Sequence, residues 1–165
     1  MSLTADILRS YRAPRSVVRR QLAAGRREDR VLIYLVIACV LIFIAQLPGL
    51  GRTAELDPSV PYEAWRSGAL FGVFFVLPLV SYSLAFLLWL VLRSFGPISA
   101  YGTRLALFWA LLAVSPLMLL QAALNSALGT AGGAALLFSL VVLAAFLAIL
   151  VAGLRAALEA GRGAA

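Results

Sequence analysis

Gly25 to Leu47 reads GRREDRVLIYLVIACVLIFIAQL, and the fold class turns on its change of character at Arg30. Five of the first six residues are charged, and after Arg30 the next charge is Arg52. An apolar run of about 20 residues is long enough for a helix to cross the ~30 Å hydrocarbon core of a bilayer. A cleaved signal has a short basic start and an apolar core of only about 7–15 residues. Here thirty polar and basic residues precede the run, so it is expected to be an uncleaved first span.

Three further apolar stretches follow. The expected spans cover about residues 31–50, 67–92, 103–124 and 133–154, and the first closes at the breaker-rich LPGLG. None alternates as an outer-membrane strand does. A helix satisfies its backbone groups internally, which hydrocarbon requires because each unpaired group costs several kcal/mol. The expected fold is therefore all-α, a polytopic bundle of four transmembrane helices. Residues 1–30 form a separate basic amphipathic segment, 31–160 the bundle and 161–165 a tail. The composition agrees: 63% of the 165 residues are hydrophobic and 13% charged.

Charge sets the orientation. The chain has 14 Arg, no Lys and 7 acids, for a formal charge of +7. Eight Arg lie before Val31, two lie between the first two spans beside three acids, and Arg93 and Arg104 flank the second connection without an acid. The third connection is uncharged, and the tail carries Arg155 and Arg162. Basic residues thus alternate as the positive-inside rule requires, with both termini cytoplasmic and the inner (plasma) membrane as the expected location. Trp65, Trp89, Tyr34, Tyr62 and Tyr101 fall near expected boundaries, as interface anchors do. Arg104 is expected to snorkel to the cytoplasmic face.

Leu3, Ile7, Leu8 and Tyr11 recur at helical spacing, Pro14 interrupts, and Val17, Val18 and Leu22 form a second stripe. Arg9, Arg12, Arg15, Arg19, Arg20, Arg26 and Arg27 accompany these stripes. That is the pattern of a helix lying in the headgroup plane. Three roles fit it: a topology signal, a surface for anionic lipid, or a docking face for a protein. A nucleic-acid partner is not expected, since no basic folded face or base-reading motif is visible.

Within the spans the small residues are Gly68 and Gly72, Gly102 and Ala106, and Ala144, Ala148, Ala152 and Gly153. Small residues four apart let helix backbones approach closely. Packing inside the bundle is the expected use, and homo-oligomerisation the alternative. Pro78 and Pro116 stand mid-span and should bend their helices, with Ser81 and Ser115 placed to take freed carbonyls. Gln46, Gln121 and Asn125 are the polar intramembrane residues, expected to bond across helices rather than bind a ligand.

The absences restrict chemistry. There is no histidine, the commonest metal ligand and general base. Cys39 is the only cysteine, which excludes an intrachain disulfide. No acid or Arg occupies the middle of a span, and no P-loop, paired-acid or nucleophile motif occurs. No catalytic residue, metal or cofactor is expected.

With its basic amphipathic start, the Arg-Ala-Pro-Arg element (Arg12 to Arg15) and YGTRLALFWALLAVSPLMLL (Tyr101 to Leu120), the chain resembles the Yip family of Ypt/Rab-interacting membrane proteins, in its alphaproteobacterial branch. The resemblance runs from about residue 5 to 155. It implies a multi-pass protein with a cytoplasmic N-terminus that contacts other membrane proteins. It transfers no catalytic residue, and the family's usual five spans exceed the four counted here. The functional expectation is a non-enzymatic adaptor or accessory subunit binding membrane proteins or anionic lipid. The alternative is a small oligomeric transporter or channel component using the prolines as hinges and the polar trio as lining.

Overall fold

A computed structural model describes residues 2–128 and 133–163. The order is α1 (Leu3–Ser10), α2 (Pro14–Ala23), α3 (Glu28–Leu56), α4 (Tyr62–Phe71), a π-helical turn (Gly72–Val76), α5 (Leu77–Leu92), α6 (Ala100–Leu128) and α7 (Gly133–Arg162). The fold is all-α, with no strand among the described residues. Four helical stretches are long and apolar enough to cross a membrane: α3, α4 with α5, α6, and α7. The chain is therefore a multi-pass membrane protein. At one end Arg104 meets Glu28 at 2.5 Å and Arg15 pairs with Glu159, while at the other Arg52 reaches Asn125. The helices therefore run alternately up and down. Arg26, Arg27, Arg30, Arg93, Arg104, Arg155 and Arg162 gather at the first, basic end, and Arg52 and Arg66 lie at the other.

The helix α6 is the central post. In its most apolar stretch 56% of residues are buried, against 11% for α4–α5. Trp109 meets Tyr34 of α3 edge-on at 5.0 Å, and Phe108 meets Tyr82 of α5 at 4.9 Å. The third neighbour, α7, comes closer because both surfaces are small. A Cβ on Gly153 would lie 3.1 Å from Ala106 Cβ, and one on Gly102 3.0 Å from Ala157 Cβ. Lipid offers no hydrophobic drive between helices, so this close contact supplies the attraction.

Several expectations change. The first span does not stop at LPGLG: α3 continues through Pro48 to Leu56. The stop is Pro58, which disfavours helical backbone at Asp57, found at φ −128°, ψ 85°. The second span starts earlier, at Tyr62, the third runs from Ala100 to Leu128, and the fourth continues to Arg162, into the expected tail. Tyr34 and Tyr101 are not interface anchors but 8% and 3% exposed core residues. The stripe Ala144, Ala148 and Ala152 does not form the α6 contact, since Ala144 and Ala148 are exposed. Ala145, Ile149 and Gly153, one position on, face inward. Gly68 and Gly72 have no neighbour within 4 Å of an added Cβ.

The prolines differ from each other. Pro116 lies inside α6 and leaves the Leu112 carbonyl without its helical donor; Ser115 Oγ donates to that oxygen at 2.8 Å. Pro78 follows the π-helical turn, in which the Leu77 N–H bonds to the Gly72 carbonyl. No bond from Ser81 to a freed carbonyl accompanies it among the described residues, although Ser81 is buried.

The tightest backbone contact closes the basic end. A Cβ on Gly161 would stand 1.8 Å from the Pro97 carbonyl oxygen. Gly161→Ala is expected to destabilise the detergent-solubilised protein by about 1–3 kcal/mol, the usual range for overpacking. Gly72→Ala should be neutral or stabilising by up to about 1 kcal/mol, as for a helical glycine with open space around it. Unfolding in graded SDS measures both.

Candidate functional site: a basic hairpin set into the bundle

Helices α1 and α2 form an antiparallel hairpin, not a stretch lying alone at a surface. Ser2 Oγ accepts from the Ala5 N–H to start α1, and Pro14 starts α2, where its missing N–H removes no helical bond. Gly25, at φ +90°, ends α2 and turns the chain toward α3. The apolar stripes are consumed in packing: Val17 and Val18 are fully buried, with Val18 on Gly153 and Leu22 on Gly102. Leu3 and Ile7 rest on the same core. Leu8 and Tyr11 are the exceptions, 70% and 38% exposed.

Polar bonds fix the depth of the hairpin. Trp109 Nε1 donates to Ser10 Oγ at 2.9 Å, and Ser10 Oγ–H donates to the Asp6 carbonyl at 2.8 Å. The Tyr11 hydroxyl donates to the Ala113 carbonyl. Ala113 is thirteen residues into α6, about 20 Å along it at 1.5 Å per residue. The hairpin therefore enters the bundle and leaves it at the same end. Tyr101 secures its exit: its hydroxyl donates to the Gly25 carbonyl at 3.4 Å and accepts the Arg27 N–H at 3.2 Å.

The expected binding residues divide into three sets. Arg15 makes a two-pronged pair with Glu159 of α7, and hydrogen bonding to that carboxylate raises the Arg15 guanidinium above its ordinary pKa. Arg27 pairs with Asp29 at 3.0 Å, and Arg26 lies over the Tyr101 ring at 5.9 Å. Arg20 turns inward to Asp6. Arg9, Arg12 and Arg19 are exposed, with no carboxylate in ion-pair range among the described residues.

The polar trio separates. Gln121 Nε2 donates to Ser139 Oγ of α7 at 2.6 Å, at one end of an apolar groove of about 320 Å³ between Leu111 and Phe146. Gln46 and Asn125 instead share a pocket of about 380 Å³, at the end of the bundle away from the basic one, with Arg52, which donates to the Asn125 and Ser126 carbonyls at 2.5 and 3.3 Å. No group of three metal-ligating side chains occurs among the described residues. Sequence reasoning missed Ser10, Tyr11 and Trp109 as a set, and it missed Gln21. The signal for Gln21 was present: it shares a helical face with Val17 and Val18 and is the polar residue on it.

No protein-family model, curated protein or solved structure matches the chain.

If the hairpin is held by these bonds, loosening them should release it without unfolding the bundle. Tyr11→Phe is expected to increase tryptic cleavage after Arg12 and Arg15 several-fold, with a loss of about 1–2 kcal/mol in stability. Time-resolved mass analysis of the digest reads the first, and SDS titration the second.

Proposed function

We propose that the chain is a non-enzymatic membrane adaptor or accessory subunit, Yip-like in layout. It would present a fixed basic surface at the cytoplasmic face of a bacterial inner membrane. The observation that supports this reading is the contrast within one hairpin. Its apolar side is locked onto α6 and α7, while Arg9, Arg12 and Arg19 stay exposed, with no carboxylate in ion-pair range among the described residues. A side chain held on a rigid support loses less entropy when it binds, so the same charges recognise an acidic partner better than on a loose tail. The two stretches that carry the Yip resemblance, Arg12–Arg15 and Tyr101–Leu120, lie beside each other, since Tyr11 is bonded to Ala113. Gly68 and Gly72, where an added Cβ would meet nothing within 4 Å, leave a second smooth surface for a neighbouring helix.

The transporter alternative draws on Gln46 and Asn125 in their shared pocket. Between that pocket and the basic end, α6 is filled by Leu105, Phe108, Trp109 and Leu112, all fully buried. That packing favours the adaptor.

A benzophenone side chain placed at position 12 or 19 of the full chain in native membranes tests the reading. One discrete adduct is expected from each, reduced at least fivefold when Arg9 and Arg26 become Gln, and absent from a probe at the exposed Leu79 of α5. Identical adducts from all three positions would defeat the adaptor. Solute flux in proteoliposomes that disappears in Asn125→Leu would replace it with the transporter.

A further inference from the structure

Between α1, α2 and the first turns of α3 lies a cavity of about 420 Å³ lined by Leu3, Asp6, Arg20, Gln21, Arg30 and Tyr34. Its burial and its chemistry conflict. Gln21 is 5% exposed, yet neither its amide nitrogen nor its oxygen has a hydrogen-bond partner. Buried polar groups are almost always paired, so an unpaired buried amide on a residue that lines a cavity calls for a polar partner there. The neighbouring Val17 and Val18 show that this face of α2 accepts apolar residues.

The charges around the cavity define the occupant. Two guanidinium groups, Arg20 and Arg30, stand against one carboxylate, Asp6. Asp6 holds Arg20 in an ion pair, and its side chain is only 15% exposed. Arg30 has no carboxylate in ion-pair range among the described residues. The net charge of the lining is +1, with the Gln21 NH₂ and the Tyr34 hydroxyl as further donors. Arginine with neutral donors around a small anion is the chemistry of phosphate recognition. Location agrees, because Arg30 lies in the opening turn of α3, one residue before the uncharged run begins. A basic notch between helices at that level meets the phosphate layer of the bilayer.

We propose that this notch binds one phosphate group, carried by an anionic phospholipid or present as the free ion. Arg30 and the Gln21 amide nitrogen are its donors, and Arg20 is held in place by Asp6. The site is independent of the adaptor reading, since none of the exposed arginines lines it.

The test uses the full chain, delipidated in detergent and titrated with phosphatidylglycerol, diacylglycerol or inorganic phosphate, with native mass spectrometry as the readout. One phosphatidylglycerol per chain is expected to be retained, at least tenfold more weakly in Arg30→Gln and in Gln21→Leu, and unchanged in Arg12→Gln. Gln21→Leu should unfold at the same or a higher temperature than wild type without ligand, so its weakened binding would not reflect lost fold. Displacement of the retained lipid by millimolar inorganic phosphate assigns the site to the free ion, and resistance to it assigns the site to the lipid. Diacylglycerol retained as well as phosphatidylglycerol, or an undiminished adduct in both variants, would overturn the proposal.

Discussion

The architecture depends on how α6 tolerates Pro116. A proline in the middle of a helix removes one N–H and crowds the carbonyl four residues earlier, and in hydrocarbon an oxygen left open costs several kcal/mol. Ser115 takes the Leu112 carbonyl from within the helix. The Tyr11 hydroxyl reaches the Ala113 carbonyl beside it from a hairpin that precedes all four spans in the chain. One turn back toward the basic end, Trp109 holds Ser10. The proline in the central helix and the seat of the N-terminal segment thus share one stretch of α6.

Around that post the helices are held by unlike means. The α7 interface is close because Gly102, Ala106, Gly153 and Ala157 leave nothing between the backbones. The α3 and α5 interfaces rest on edge-to-face aromatic pairs. Among the described residues, Arg104 and Arg15 make their ion pairs, and Arg52 its bonds to carbonyls, at the helix ends. The α4–α5 helix makes the least contact, and its outer face carries Phe71, Phe75, Phe86 and Leu87, the surface expected of a lipid-facing element.

The four-helix plan was legible because long uncharged runs have few other solutions, and the alternation of Arg among the loops matches the two ends found. Boundaries were less legible: Pro48 and the flanking glycines resemble a stop, but nothing competes for their backbone bonds until Pro58. The N-terminal stripes were visible as amphipathic, yet periodicity cannot distinguish a face meant for lipid from one meant for α6 and α7. Pairs such as Tyr11 with Ala113 and Arg15 with Glu159 join residues 102 and 144 positions apart, and no local pattern announces them. The mistaken alanine stripe shows the same limit: a one-residue shift rotates a helix by about 100°, enough to exchange an exposed row for a buried one.

Those separations also impose an order of events. Leu3 to Ala23 leave the ribosome before the four spans, and Glu159 follows 144 residues after Arg15, or about 7–30 s later at 5–20 residues per second. Until α6 and α7 follow, Val17, Val18 and Leu22 lack the surfaces that cover them in the finished fold. A basic helix pair with a bare apolar side settles on an anionic bilayer surface. The hairpin therefore cannot complete its contacts before Glu159 has been made. Its docking marks the moment at which α6 and α7 are both in place.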